Sequence, residues 1–175
     1  MIALNFGNWE GNNGIYQPFC ADIHFNKNAD FQYDGVELPI KTDSIDIIFS
    51  DQVMEHCYYI DDFYREAARV LGSDGVMQVN FPHRFVPFDS HSRTWFRHWF
   101  CPSDPARALN WKTKGYHKRI AKKYFSEIED VAWKVFVDYD KYEGPKLLRR
   151  IANWIPGFFG LSYFRQVHWE MKGEK

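Results

Sequence analysis

The side chains best suited to proton chemistry fall in one stretch, where His83, Arg84, His91, Arg93, Trp95, Arg97, His98 and Trp99 follow closely on one another. An imidazole titrates near neutral pH, so His83 or His91 is the natural general base toward an acceptor hydroxyl. Arginines interleaved with tryptophans suit a phosphate beside a planar or sugar ring. A structural reading stands beside the functional one: a helical hairpin over a sheet, with Trp and Phe inward and Arg outward. His56, in the triplet Met54-Glu55-His56, is a further imidazole, with a role in catalysis or in packing. No metal-ligand set is read. Cys20, Cys57 and Cys101 form no CxxC pair and no two of them lie close in sequence. Reduced thiols and a cytoplasmic setting are the expectation.

Charge divides the chain. Residues 1–83 hold 4 Lys and Arg against 13 Asp and Glu, whereas residues 84–125 hold 10 against 2. A basic middle suits a negatively charged substrate, or marks solvated helix faces. It would also serve a nucleic-acid binder, although the net charge of -1 weighs against that reading.

These groups need a frame, and 175 residues with 45% apolar content can bury a core in a single domain. No apolar run approaches the roughly 20 residues of a membrane span, and no signal-peptide pattern opens the chain. Leu147–Leu161 (LLRRIANWIPGFFGL) can rest on a membrane surface, or form a core helix and a loop.

Short apolar runs predict strands at Ile2–Phe6, Phe19–Ile23 and Ala29–Tyr33. The β-branched run Ser44–Ser50 (SIDIIFS) predicts a buried strand. Asp61 reads as the N-cap of a helix carrying Phe63, Ala67, Val70 and Leu71, stopped by Gly72. A turn at Ser73–Gly75 and a strand at Val76–Phe81 follow, which completes a βαβ unit with parallel strands. Further on, a basic helix near His117–Tyr124, a strand at Trp133–Tyr139, a helix at Lys146–Trp154 and a last strand at Arg165–Met171 are expected. The class is α/β, with a Rossmann-like, mostly parallel sheet and reduced first crossovers.

The block from Asp34 to Phe81 resembles the core of class I S-adenosylmethionine-dependent methyltransferases, in a shortened form. The resemblance rests on Asp34, Leu38-Pro39, the strand Asp46–Ser50, Met54-Glu55-His56, Glu66 with Arg69-Val70-Leu71, and Asp74-Gly75 before Val76–Phe81. It implies S-adenosylmethionine as cofactor and a methyl-transfer activity. The cofactor residues it implies are Asn5 and Gly7 in the first loop, Asp22 and Ile23 at the ribose, Asp34 and Gly35 at the adenine. Ser50, Asp51 and Gln52 fall beside the methionine part. A carboxylate after the second strand suits a ribose, because it accepts hydrogen bonds from both hydroxyls of a diol.

The first loop departs from the family. Asn5-Phe6-Gly7-Asn8-Trp9 lacks the second glycine, and only Asn8–Pro18 separates the first two strands. The second crossover, at Phe25–Asn28, is too short for a helix. Residues 1–82 are read as the cofactor-side half and 83–175 as the acceptor side. The function read is methyl transfer to a small-molecule or glycan acceptor, anionic in one version. A cofactor-free protein of the same fold, or an RNA-directed methyltransferase, are the other readings.

Overall fold

The run SIDIIFS forms β4 (Ile45–Asp51), and its neighbours explain why it is so apolar: it pairs in parallel with β1 (Ala3–Phe6) on one side and β5 (Leu71–Phe81) on the other. A computed structural model of the protein describes residues 2–6, 19–22, 30–33, 36–89, 91–131 and 167–173. Among these residues the main sheet continues from β1 through β2 (Phe19–Asp22) to β3 (Phe31–Gln32), all parallel. On the far side β11 (Val167–Gly173) lies antiparallel between β5 and β10 (Phe125–Asp130), giving the order β10-β11-β5-β4-β1-β2-β3. The expected class, α/β with a mostly parallel Rossmann-like sheet, is the one observed.

Helix α1 (Ile60–Val70) connects β4 to β5. Ile60, Phe63, Tyr64 and Ala67 recur at i, i+3, i+4 and i+7 and are all buried, so one apolar stripe packs on the sheet. Phe6 meets Phe63 at 4.9 Å and Tyr33 at 5.4 Å between ring centroids, which ties β1 and the end of β3 to this helix. Burial of these rings, with the aliphatic side chains around them, stabilises the half that carries β1–β5.

Two boundaries differ from expectation. Asp61 is not the N-cap: the cap position falls two residues earlier, at Tyr59, with no side-chain cap. Inside the first turn the Asp61 charge still favours the helix dipole, and its carboxylate is taken by Lys123 Nζ (2.7 Å) and Tyr124 Oη (3.0 Å). Nor does Gly72 stop the chain. Leu71 is already extended, and the turn expected at Ser73–Gly75 is absorbed as a bulge in β5, where Ile45 faces Leu71 but Ile47 faces Val76.

After β5 come two short hairpins in place of the helical hairpin considered from the sequence: β6 (Phe88–Asp89) with β7 (Thr94–Trp95), and β8 (Ser103–Asp104) with β9 (Leu109–Asn110). Between them lie α2 (Arg97–Phe100) and, after β8, a 3-10 turn at Pro105–Arg107. The basic helix, α3 (Lys114–Ala121), starts earlier than expected because Thr113 caps it, accepting from Tyr116 N at 3.1 Å. Strand β10 was not expected; only Phe125 and Ile128 of its six residues turn away from solvent. The last strand is shifted by two residues, to Val167–Gly173. The predicted strand at 133–139, the helix at 146–154 and the amphipathic segment 147–161 lie outside the described residues, as do the two short crossovers.

Candidate functional site

Parallel strands share their carboxyl ends, and at β1 the chain order reverses between β2 and β4, the switch point beside which open parallel sheets bind their ligands. Asn5 sits one residue from the end of β1, fully buried and in register with Cys20 and Phe49. Asp22 ends β2, and its carbonyl accepts from Tyr33 N at 2.9 Å. Ser50, between Phe6 and Val79 in register, is 2% exposed, and its hydroxyl finds no hydrogen-bond partner among the described residues. Asp51 accepts from Asn80 Nδ2 at 2.6 Å, which links the ends of β4 and β5. Gln52 turns the chain sharply with a φ of 54°, while its N–H donates to Asn80 O at 2.8 Å. Five of the predicted cofactor residues thus line one edge. The other four, Gly7, Ile23, Asp34 and Gly35, lie outside the described residues.

The turn after Gln52 carries a second group of polar side chains at the same edge. Asn110 N donates to the carbonyl of Glu55 at 2.7 Å, so β9 fixes this turn in place. Glu55 is 1% exposed, and no described residue other than Glu55 itself, through its own backbone N–H, donates to either carboxylate oxygen. Burial, opposed by a backbone hydrogen bond and reinforced by the charges of Asp51 and Asp89, pushes its carboxyl up to about 8.

Two imidazoles stand over that carboxylate. His56 Nδ1 is 3.1 Å from Ala108 O, and a carbonyl only accepts, so Nδ1 carries the hydrogen. Burial holds His56 below its ordinary value, against the pull of that carbonyl. His91 lies in the β6–β7 turn, where Asp89 Oδ1 accepts His91 N at 3.0 Å and stands 3.3 Å from His91 Nδ1. The other oxygen of Asp89 takes the N–H and hydroxyl of Ser92. Burial would raise Asp89, yet these donors and His91 together keep it below the usual carboxylate range. His91 Nε2 is 3.6 Å from Glu55 Oε1, and the rings of His56 and His91 meet edge-on with centroids 5.2 Å apart.

The two histidines named as general bases have different surroundings. His91 is partly exposed and joins this group, whereas His83 is 1% exposed and its Nδ1 accepts from Phe85 N at 3.2 Å. Sequence reasoning missed Glu55 as a site group, along with Asp89. The Asp-Ser-His-Ser spacing of an Asx turn was a readable signal for Asp89; nothing in the sequence marks Glu55 as buried. Much of the basic stretch is engaged within the fold. Arg97 (3.1 Å) and Arg107 (2.6 Å) both hold Asp104 Oδ2, Lys114 pairs with Asp130, and Arg84 donates to Trp99 O at 2.7 Å. The aromatics of this stretch divide: Trp99 is half-buried and donates to Val86 O at 3.0 Å, whereas Trp95, 65% exposed, faces Phe88 across the hairpin at 5.3 Å.

A family model described as a methyltransferase domain matches residues 19–79, the span from β2 through most of β5. The structure resembles an S-adenosylmethionine-dependent methyltransferase from Mesorhizobium loti with a TM-score of 0.58 at 11% identity, covering 98% of this chain and 90% of that one. The chain has the class I methyltransferase fold. A phosphoethanolamine N-methyltransferase 2 of Haemonchus contortus, in complex with S-adenosyl-L-methionine, matches with a TM-score of 0.56 at 13% identity, over 99% of this chain and 48% of that one. In sequence, 50 residues are 42% identical to proteins of two Mycobacterium tuberculosis strains described as probable S-adenosylmethionine-dependent methyltransferases. That stretch is 29% of this chain, and the match spans 18% of the length of those curated relatives. The matched segment of this methyltransferase fold contains Asp22, Ser50–Gln52 and Glu55-His56.

Proposed function

We propose that this chain binds S-adenosylmethionine at the carboxyl edge of β1, β2 and β4 and methylates a small-molecule or glycan acceptor. The observation that carries the proposal is the edge itself: a buried Ser50 hydroxyl without a hydrogen-bond partner among the described residues lies at the same carboxyl edge as the Asp22 strand end. A buried donor left unsatisfied is costly, and a polar ligand at that edge relieves it. Bound there, the sulfonium supplies an electrophilic methyl group. The chain's own residues do the rest by holding and orienting. Asp22, with Ile23 next in the chain, would accept from the ribose diol, Asp34 and Gly35 would serve the adenine, and Asn5 near the end of β1 would act with Gly7, which follows that strand. Ser50, Asp51 and Gln52 border the methionine end. Methyl transfer runs chiefly on such positioning.

The acceptor belongs to the half beginning at residue 83, in a single domain of 1–175. His91, which solvent reaches, is assigned to the acceptor hydroxyl; His83 is enclosed. Exposed Phe88 and Trp95 beside His91 offer a stacking face for a sugar or planar ring. The pairing of Arg97, Arg107 and Lys114 with carboxylates removes much of the case for an anionic acceptor or for RNA. A cytoplasmic setting belongs to the same proposal and rests on the cysteine spacing, which has no CxxC pair. Among the described residues no helix is long and apolar enough to cross a membrane.

Thermal unfolding with saturating S-adenosylhomocysteine tests the binding half of this reading. A ligand at about 100 times its Kd stabilises by about 2.7 kcal/mol, which raises Tm by roughly 5–10 °C in a domain of this size. Asp22→Ala is expected to lose most of that rise. An unchanged Tm in the wild type would count against the proposal.

A further inference from the structure

Two segments far apart in sequence, one carrying Glu55 and His56 and the other His91, bring these residues together, and each offers one ligand atom within 4.8 Å of the others. The hydrogen-bond pattern around them is one-sided. His56 gives its Nδ1 hydrogen to Ala108 O, and His91 gives its own to Asp89, so in both neutral rings Nε2 keeps the lone pair. The third member is a carboxyl group to which no other described residue donates a hydrogen bond. Three groups able to ligate a metal ion thus converge. Such a group is stable once a positive charge enters it.

We propose that Glu55, His56 and His91 bind one divalent transition-metal cation of the zinc type, leaving one coordination position open. Two imidazole nitrogens and a carboxylate oxygen are a donor set that zinc accepts and that magnesium or calcium does not prefer. With bonds of about 2.0–2.2 Å, tetrahedral ligand atoms stand about 3.3–3.6 Å apart. The 3.6 Å between His91 Nε2 and Glu55 Oε1 already meets this. The Nδ1 partners supply what ligating histidines ordinarily have, an oxygen that fixes tautomer and ring orientation. Asp89 is itself held by Ser92, and Ala108 sits in a left-handed turn with a φ of 51°, so both partners are anchored. Entry is from the histidine side, because the His91 side chain is 24% exposed and that of Glu55 is fully covered. The cation's role rests on the methyltransferase reading: with His91 as its ligand, and so not acting as a base, the open position would receive the acceptor hydroxyl in its place and ease the loss of its proton. The site itself does not depend on that reading.

The test is titration of chelator-stripped chain with Zn²⁺ by calorimetry, and with Co²⁺ followed by visible absorption, both without methyl donor. One ion per chain is expected, bound at least tenfold more weakly by His91→Ala and by Glu55→Gln. Asp89→Asn, which loosens the His91 ring, is expected to weaken binding about tenfold. Circular dichroism checks that each variant folds; should the buried Glu55→Gln unfold, the partly exposed His91→Ala decides. Absent binding in the wild type, or equal binding by His91→Ala, overturns the site. Because S-adenosylhomocysteine binding is read separately, failure of the metal site and failure of the cofactor reading give different results.

Discussion

Arg69 lies one turn beyond Glu66 on α1 and grips its carboxylate, with Nη2 2.8 Å from Oε2 and Nε 3.1 Å from both oxygens. The same guanidinium donates to the carbonyls of Leu38 (3.0 Å) and Ile40 (2.9 Å), while Glu66 Oε2 accepts from Leu38 N at 3.0 Å. The pair fastens the segment before β4 to the helix. Burial works to raise the Glu66 carboxyl, but Arg69 and the Leu38 N–H outweigh it and hold the group below its usual range. This is the physical content of the Glu-x-x-Arg spacing in the sequence.

Removing Arg69 leaves a buried carboxylate and two carbonyls without their donor. Arg69→Ala is expected to cost about 2 kcal/mol, less than a fully buried pair would, because the Arg69 side chain is 31% exposed. Urea denaturation measures it, and a loss under about 0.5 kcal/mol would show that the pair is only a surface contact.

Gly75 closes the β5 bulge in a space that admits no side chain. A Cβ there would stand 2.7 Å from Leu71 side-chain carbons and 2.9 Å from the Gly72 carbonyl oxygen. Leu71 is 1% exposed, so neither neighbour yields easily. Gly75→Ala should cost about 1–3 kcal/mol by overpacking. Gly115→Ala, where nothing lies within 4 Å, is the control and should not destabilise.

His117 makes stability depend on pH. It is 1% exposed, its ring centroid is 4.4 Å from that of Phe81, and its Nδ1 is 3.3 Å from Tyr64 Oη. Burial, aided by the positive character of His83 and Lys112, lowers it from 6.5 to about 3. The unfolded chain therefore takes up this proton near pH 6.5 while the folded chain stays neutral down to about pH 3. Stability from this group is complete above about pH 6.5 and falls as the pH drops toward 3. Between about pH 7 and pH 5 the loss should be about 2 kcal/mol. Denaturation of the wild type and His117→Gln at both pH values checks this; equal slopes would remove His117 as the cause.

How far the sequence could be read depends on where each signal resides. Strand β4, helix α1 and the last strand were legible because their side-chain periodicity is local and their apolar faces are buried where that periodicity puts them. The carboxyl edge followed from the strand ends, and it places Asn5, Asp22 and Ser50–Gln52 together. Strand β10 was not legible, since FSEIED owes its conformation to pairing with β11 across the sheet edge and not to its own pattern. Neither was the start of β5, where the glycines that signal a turn form a bulge instead. The Glu55 group was out of reach for a third reason: its character comes from burial and from Asp89 and Ala108, both more than thirty residues away.

The central claim, that the carboxyl edge of β1, β2 and β4 holds S-adenosylmethionine, is tested most directly by calorimetric titration of the wild type and Asp22→Ala. One site per chain is expected in the wild type, for both S-adenosylmethionine and S-adenosylhomocysteine. Loss of charged hydrogen bonds worth about 1.5–3 kcal/mol each should weaken the variant at least about tenfold. Equal binding by both proteins would remove Asp22 from the ribose. No heat from the wild type up to millimolar cofactor would contradict the claim and leave a cofactor-free protein on a methyltransferase fold.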